Sequence, residues 1–239
     1  MSEETAPHIK KSEKWILGDI TLISADRSSG CNADLSEVFS EVIELGGIKT
    51  LEFYDPELES AGTLDRFLDL AFNSELSPTC VSEHPTTAEV EFTRELLALV
   101  RFLQKYECWS LFRQLRMCAT EHVKNKQLSA HTAFVVGAVA EEVDLCAAAL
   151  QHACTVDADW RLNRHSAMRY WICAADPGSV ERSLWDLLPA AYAWAWSKAW
   201  AQGMGAVEHR HSRQHELSRV IPEFRKAVKE TEVRDSAGK

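Results

Sequence analysis

The chain lacks the usual marks of catalysis. Gly203-Met204-Gly205 opens no Gly-x-Gly-x-x-Gly, and no Gly-Lys-Ser/Thr occurs, so the backbone cradles that hold nucleotide phosphates are missing. No Gly-x-Ser-x-Gly elbow is present to raise a nucleophilic serine. The seven cysteines are Cys31, Cys80, Cys108, Cys118, Cys146, Cys154 and Cys173. Their number is odd and no two stand two residues apart, which excludes a paired Cys-x-x-Cys zinc pattern. No apolar run reaches the roughly 18 residues of a membrane span. Basic residues are too few for general nucleic-acid or anionic-membrane binding, with 26 Lys and Arg against 36 Asp and Glu, a net charge of −10. The start, MSEETAPHIKKSEK, is charged and has no apolar signal-peptide core. Together with unpaired, mostly buried thiols this predicts a reduced intracellular protein, cytoplasmic or nuclear.

What is present suits a packed protein of one or two domains. Of 239 residues, 46% are hydrophobic and eight are tryptophan, most of these in the second half. Charge is uneven. Residues 35–95 hold 14 acids against three Lys and Arg, whereas residues 208–229 hold six Lys and Arg against three acids. The basic stretch reads as a solvated helix face, with contact to an acidic partner as the alternative.

Periodicity divides the chain further. Residues 1–14 read as a disordered arm. Trp15 to Ser24, WILGDITLIS, alternates like a strand, and Asp26 to Asp34 has turn and loop chemistry. Leu35 to Leu45 carries a helical apolar stripe that Gly46-Gly47 stops. Ile48 to Tyr54 reads as a second strand, Asp55-Pro56 as a turn, and Thr63 as the cap of a helix burying Leu64, Phe67, Leu68 and Ala71. Thr86-Thr87-Ala88-Glu89 fits a capping box before a helix that buries Phe92, Leu96, Leu99, Val100 and Leu103. A further helix spans about 109–123. Beyond 125 the pattern is helical throughout: one element behind Ser129, one over Asp144–Cys154, one over His165–Ala174, a break at Asp176-Pro177-Gly178, a long helix from Ser179 kinked by Pro189, and a charged helix to about Lys229. Residues 231–239 read as a disordered tail. No repeat of fixed period is visible.

The order of these pieces resembles a BTB/POZ domain, in a divergent form of the kind found in fungal proteins. Asp19-Ile20-Thr21-Leu22 matches the family's opening strand and Ser36-Glu37-Val38-Phe39 its helix signature. Ile48 to Leu76 matches its strand, Asp-Pro turn, helix and aromatic tail, and Val90 to Val123 its closing helix pair, with Lys105-Tyr106-Glu107 at the junction. The resemblance covers residues 15–124 and implies an α+β fold, a short sheet packed with helices, with Phe39, Phe67, Leu68 and Tyr106 as core anchors. Residues 125–230 would then form an all-α domain like a BACK-type extension. The segment between Ser24 and Leu35 is shorter and more polar than the family's and lacks its His, which weakens the surface that forms BTB homodimers. Glu44 to Lys49 lacks the extended loop used by cullin-type adaptors.

Residue chemistry offers fewer leads. His215-Glu216-Leu217-Ser218-Arg219 misses the His-Glu-x-x-His zinc motif because Arg219 stands where the second His is needed. His211 and His215 are four apart and could form a two-ligand site, to which His209 adds a third ligand if the helix start bends; the alternative is exposed polar residues on a charged helix. Tyr192, Trp196 and Trp200 recur every fourth residue and stack along one helix face. Such a stripe is a core seam, or, where exposed, a partner groove. The sequence therefore points to a non-catalytic protein–protein interaction module, a scaffold or adaptor, with no cofactor and with Tyr192, Trp196 and Trp200 as candidate partner contacts. A homodimer through residues 15–124 is the expected self-association; nucleic acid and membrane are not expected partners. The alternatives are a cullin-type ubiquitin ligase adaptor and a metal-dependent enzyme using His209–His215.

Overall fold

Helices take up most of the described residues, because apolar residues recur there at helical spacing over long stretches and at strand spacing over short ones. The computed structural model describes residues 20–26, 30–33, 50–76, 87–156, 175–204 and 213–237. Contacts cluster into two compact units: Met1–Ser77 with Arg94–Leu115, and Pro78–Thr93 with Arg116–Lys239.

In the first unit, β1 (Ile20–Ile23), β2 (Gly30–Ala33) and β3 (Thr50–Glu52) pair in the order β2-β1-β3. β1 runs antiparallel to β2, with Leu22 opposite Cys31, and parallel to β3, with Leu22 opposite Leu51. The structure corrects the α+β class expected for a BTB/POZ-like domain at 15–124. The described residues are predominantly helical, and the strands among them have four, four and three residues. Of the strand expected at Trp15–Ser24, Ile20–Ile23 is found, and residues 15–19 lie outside the described residues. β2 in turn falls within Asp26–Asp34, read from sequence as loop; Gly30-Cys31-Asn32-Ala33 has little strand propensity and is held by its neighbour β1.

Helix α1 (Ala61–Leu68) starts at Ser60, whose Oγ accepts from Thr63 N at 3.3 Å, so the cap lies three residues before the Thr63 expected. It continues through a π-helical turn, Asp69–Asn73, that closes on Ser74 in the left-handed region. Helices α2 (Thr87–Lys105) and α3 (Trp109–Lys124) follow. Within the first unit Leu64, Phe67, Leu68 and Leu70 are buried, as are Leu96, Leu99, Val100, Phe102 and Leu103, so helices supply most of its core. Arg66 grips Glu95 through Nε at 3.0 Å and Nη2 at 2.7 Å.

The described residues of the second unit carry helices and turns. Helix α4 (Ala130–Val139) is capped by Ser129 and buried without a break from Thr132 to Ala138, the pattern of a helix enclosed on all sides. It packs against α5 (Val143–Val156) so closely that a Cβ on Gly137 would lie 2.9 Å from Cys146 Sγ. Asp176 Oδ1 accepts from Gly178 N at 2.8 Å and caps the short 3₁₀ turn Pro177–Ser179. The long helix expected from Ser179 is two elements, α6 (Arg182–Trp185) and α7 (Ala190–Met204). Pro189 stands before α7, its carbonyl accepting from Tyr192 N and Ala193 N at 3.0 Å, so it starts a helix rather than kinking one. Helix α8 (Arg213–Ala237) contains Pro222 and extends beyond residue 230, into the segment read as a disordered tail. Among the described residues no helix is long and apolar enough to cross a membrane. Phe39, the 35–45 helix and the 165–174 helix lie outside the described residues.

Candidate protein-interaction surface

A single buried carboxylate organises the turn after β3. Asp55 Oδ1 accepts from Glu57 N at 3.1 Å and Leu58 N at 3.2 Å, the side-chain-stabilised turn that Asp before Pro favours. The turn returns Glu59 beneath it, with Glu59 N donating to Asp55 O at 2.7 Å. Glu59 is only 2% exposed. Its Oε2 accepts from Tyr54 N at 2.7 Å and Asp55 N at 2.8 Å. Its Oε1 accepts from Lys105 Nζ at 2.5 Å and Tyr106 Oη at 2.6 Å. Both oxygens are thus saturated by donors, and one of the donors carries the compensating charge.

Burial alone raises the Glu59 pKa, but the hydrogen bonds from Lys105, Tyr106 and the amides of Asp55 and Tyr54 outweigh it and hold the carboxyl at about 2. The Glu59 hydrogen bond raises the Lys105 ammonium. Burial, then Glu59, pushes the Tyr106 phenol up. All three groups keep fixed protonation states at neutral pH, so this is a structural clasp and not an acid–base pair.

Behind the clasp, Phe102 meets Phe67 at 5.2 Å and Tyr106 at 4.8 Å between ring centroids, and Phe53 stands edge-on to Tyr106 at 5.8 Å. Phe67 and Leu68 are fully buried, whereas Tyr106 is 36% exposed. Tyr54 is 76% exposed and donates through Oη to Glu52 at 3.1 Å. Trp109, at the start of α3, is 61% exposed and stands edge-on to Phe112. Between α2 and α3, Glu107 takes φ 53°, and Cys108 N reaches back to Leu103 O at 2.9 Å, closing α2 with a left-handed residue.

The aromatic stripe of the second half sits elsewhere. Trp196 is 1% exposed; its Nε1 donates to Ala175 O at 2.8 Å and its ring lies 4.2 Å from Phe134. Tyr192 is also buried, 6.3 Å from Phe224, and Trp200 is half-buried. These positions form the core seam of the second unit. On the same helix the more open ring is Trp194, with Lys198 Nζ 4.7 Å from its centroid.

Among the described residues no group of three or more His, Cys, Asp and Glu is placed to hold a metal. His209 and His211 lie outside the described residues, as does the side chain of His215. Cys108, Cys118 and Cys146 stand outside disulfides, and burial raises their thiol pKa values, which makes them poor nucleophiles. The sequence reading missed Glu59 altogether. The available signal was an acid four residues after Asp55, followed by the apolar positions Leu64, Phe67 and Leu68. Comparison with protein-family models, curated proteins and solved structures returns no match.

Proposed function

We propose that this chain is a non-catalytic protein–protein interaction module, acting as a scaffold or adaptor in a reducing, intracellular compartment. The observation that carries the reading is the exposure of two aromatic side chains, Tyr54 and Trp109, in stretches where Glu59 holds Tyr54 N and Tyr106 Oη. Rigid aromatic side chains with few rotatable bonds lose little entropy on docking, which is why Trp and Tyr dominate interface hot spots. The unpaired thiols support the compartment.

The test is native co-purification of the tagged full-length protein from its own cells, followed by reconstitution with each purified candidate and light scattering. A heteromeric complex of defined stoichiometry is the expected result. A protein that scatters as a monomer with every candidate at micromolar concentration overturns the reading.

A further inference from the structure

We infer that Gln114 is a conformational latch: it holds the end of α1 in its π register, and its release rewinds that end as α-helix and takes Leu76 out of its buried position.

The end of α1 leaves the α register at one amide. In an α-helix Ser74 N would donate to the carbonyl four residues back, Leu70 O. It donates instead to Asp69 O, five back, and Ser74 takes φ 54° and ψ 29°. The carbonyl passed over is occupied from α3: Gln114 Nε2 donates to Leu70 O at 2.9 Å. The same nitrogen donates to Ser74 Oγ at 2.7 Å, so both hydrogens of the amide are used. Gln114 thus stands on the acceptor that the α register needs and holds the residue that would reach for it.

Left to itself the segment favours the other register. Leu70 and Ala71 are strong helix formers. A π turn is rare and mostly a single-turn feature, and left-handed backbone disfavours serine where glycine is the usual choice. The compensation therefore comes from α3. Register also sets the path of the chain. A left-handed residue turns it off the helix axis, and two residues later Leu76 is 3% exposed. With Ser74 in the right-handed region the chain continues along the axis, and Leu76 is carried away from that position. Gln114 in this way controls both the exposure of an apolar side chain and the direction in which the chain leaves α1.

The experiment is NMR of the isotope-labelled full-length protein. Scalar coupling across the hydrogen bond identifies the acceptor of the residue-74 amide, the intraresidue amide-to-Hα NOE gives the sign of φ, and relaxation dispersion reads the minor register. Wild type should show Asp69 O and positive φ. In Gln114→Leu the ratio of α to π register should rise about thirtyfold, the loss of two hydrogen bonds, with Leu70 O as the new acceptor. Ser74→Ala removes one of the two bonds at an exposed position and should raise the ratio about fivefold; it decides the matter if Gln114→Leu does not fold. Adding Ser74→Gly to Gln114→Leu should restore positive φ, because glycine adopts it freely. Residue 74 keeping Asp69 O and positive φ in Gln114→Leu and Ser74→Ala, with no rise in the minor register, overturns the inference. So does an amide that loses Asp69 O without gaining Leu70 O, which would make Gln114 an ordinary packing contact.

Discussion

Replacing Glu59 by Gln keeps its shape and removes its charge. The carboxylate accepts four hydrogen bonds, two on each oxygen. An amide offers one acceptor oxygen and turns an NH₂ towards donors on the other side. If the NH₂ faces the turn, Tyr54 N and Asp55 N lose their acceptor. If it faces α2, it confronts the Lys105 ammonium. The lowering of the Glu59 pKa from 4.5 to about 2 corresponds to at most about 3 kcal/mol, and screening at the part-exposed Lys105 reduces this to about 2 kcal/mol. The sign follows from a depressed folded-state pKa. The contribution is fully present above the unfolded value of 4.5 and is lost as pH falls from there towards about 2. Urea unfolding at pH 7 should therefore show Glu59→Gln less stable by about 2 kcal/mol, with the gap nearly closed at pH 2. Hydrogen exchange at the Tyr54 and Asp55 amides provides the local readout, and both should lose protection in the variant. A gap below about 0.5 kcal/mol at pH 7, or one that is the same at both pH values, would refute the reasoning.

Three further outcomes follow from packing. Gly203→Ala places a Cβ 2.8 Å from Val220 Cγ2 and 3.2 Å from Val220 N, where α7 meets α8, and should lower stability by about 1–3 kcal/mol in urea melts. Trp196→Ala empties the centre of the second unit and should cost about 3–5 kcal/mol by calorimetry, whereas a solvent-facing docking residue would cost little. Ser183 Oγ is buried with no hydrogen-bond partner, so Ser183→Ala should be neutral or raise the melting temperature, by up to about 1 kcal/mol in stability.

Local features were the legible ones. Ser129 as a cap, the Asp176 turn, and Phe67 and Leu68 on a buried stripe each depend on residues within one or two turns, and each is found in the structure. Pro189 showed that a break was coming but not its kind, because a proline before a first turn and one within a helix look alike until the carbonyl partners are known. The strand Gly30–Ala33 was hidden because its support comes from β1 and not from its own composition. Glu59 was hidden for the opposite reason. It lies in a stretch of 14 acids, where one more carboxylate carries no signal, and its meaning depends on Lys105 and Tyr106, 46 and 47 residues away. The aromatic stripe was read correctly as a helix face, but spacing alone does not say which side meets water. Burial assigns Trp196 to the core, and the exposed rings of Tyr54 and Trp109 stand at the ends of a strand and a helix read from sequence, where periodicity does not tell exposure.

The first unit is not one continuous stretch of gene. It needs Met1–Ser77 and Arg94–Leu115, with the intervening residues belonging to the second unit. A ribosome adding about 5–20 residues per second takes a few seconds to go from the end of one piece to the end of the other. Throughout that interval Leu64, Phe67 and Leu68 have emerged without Phe102 and Leu103 to cover them. The nascent chain thus has a built-in waiting period, during which chaperones and proteases meet an apolar face that the finished protein conceals. A message cut before Phe102 would leave that face without its cover permanently.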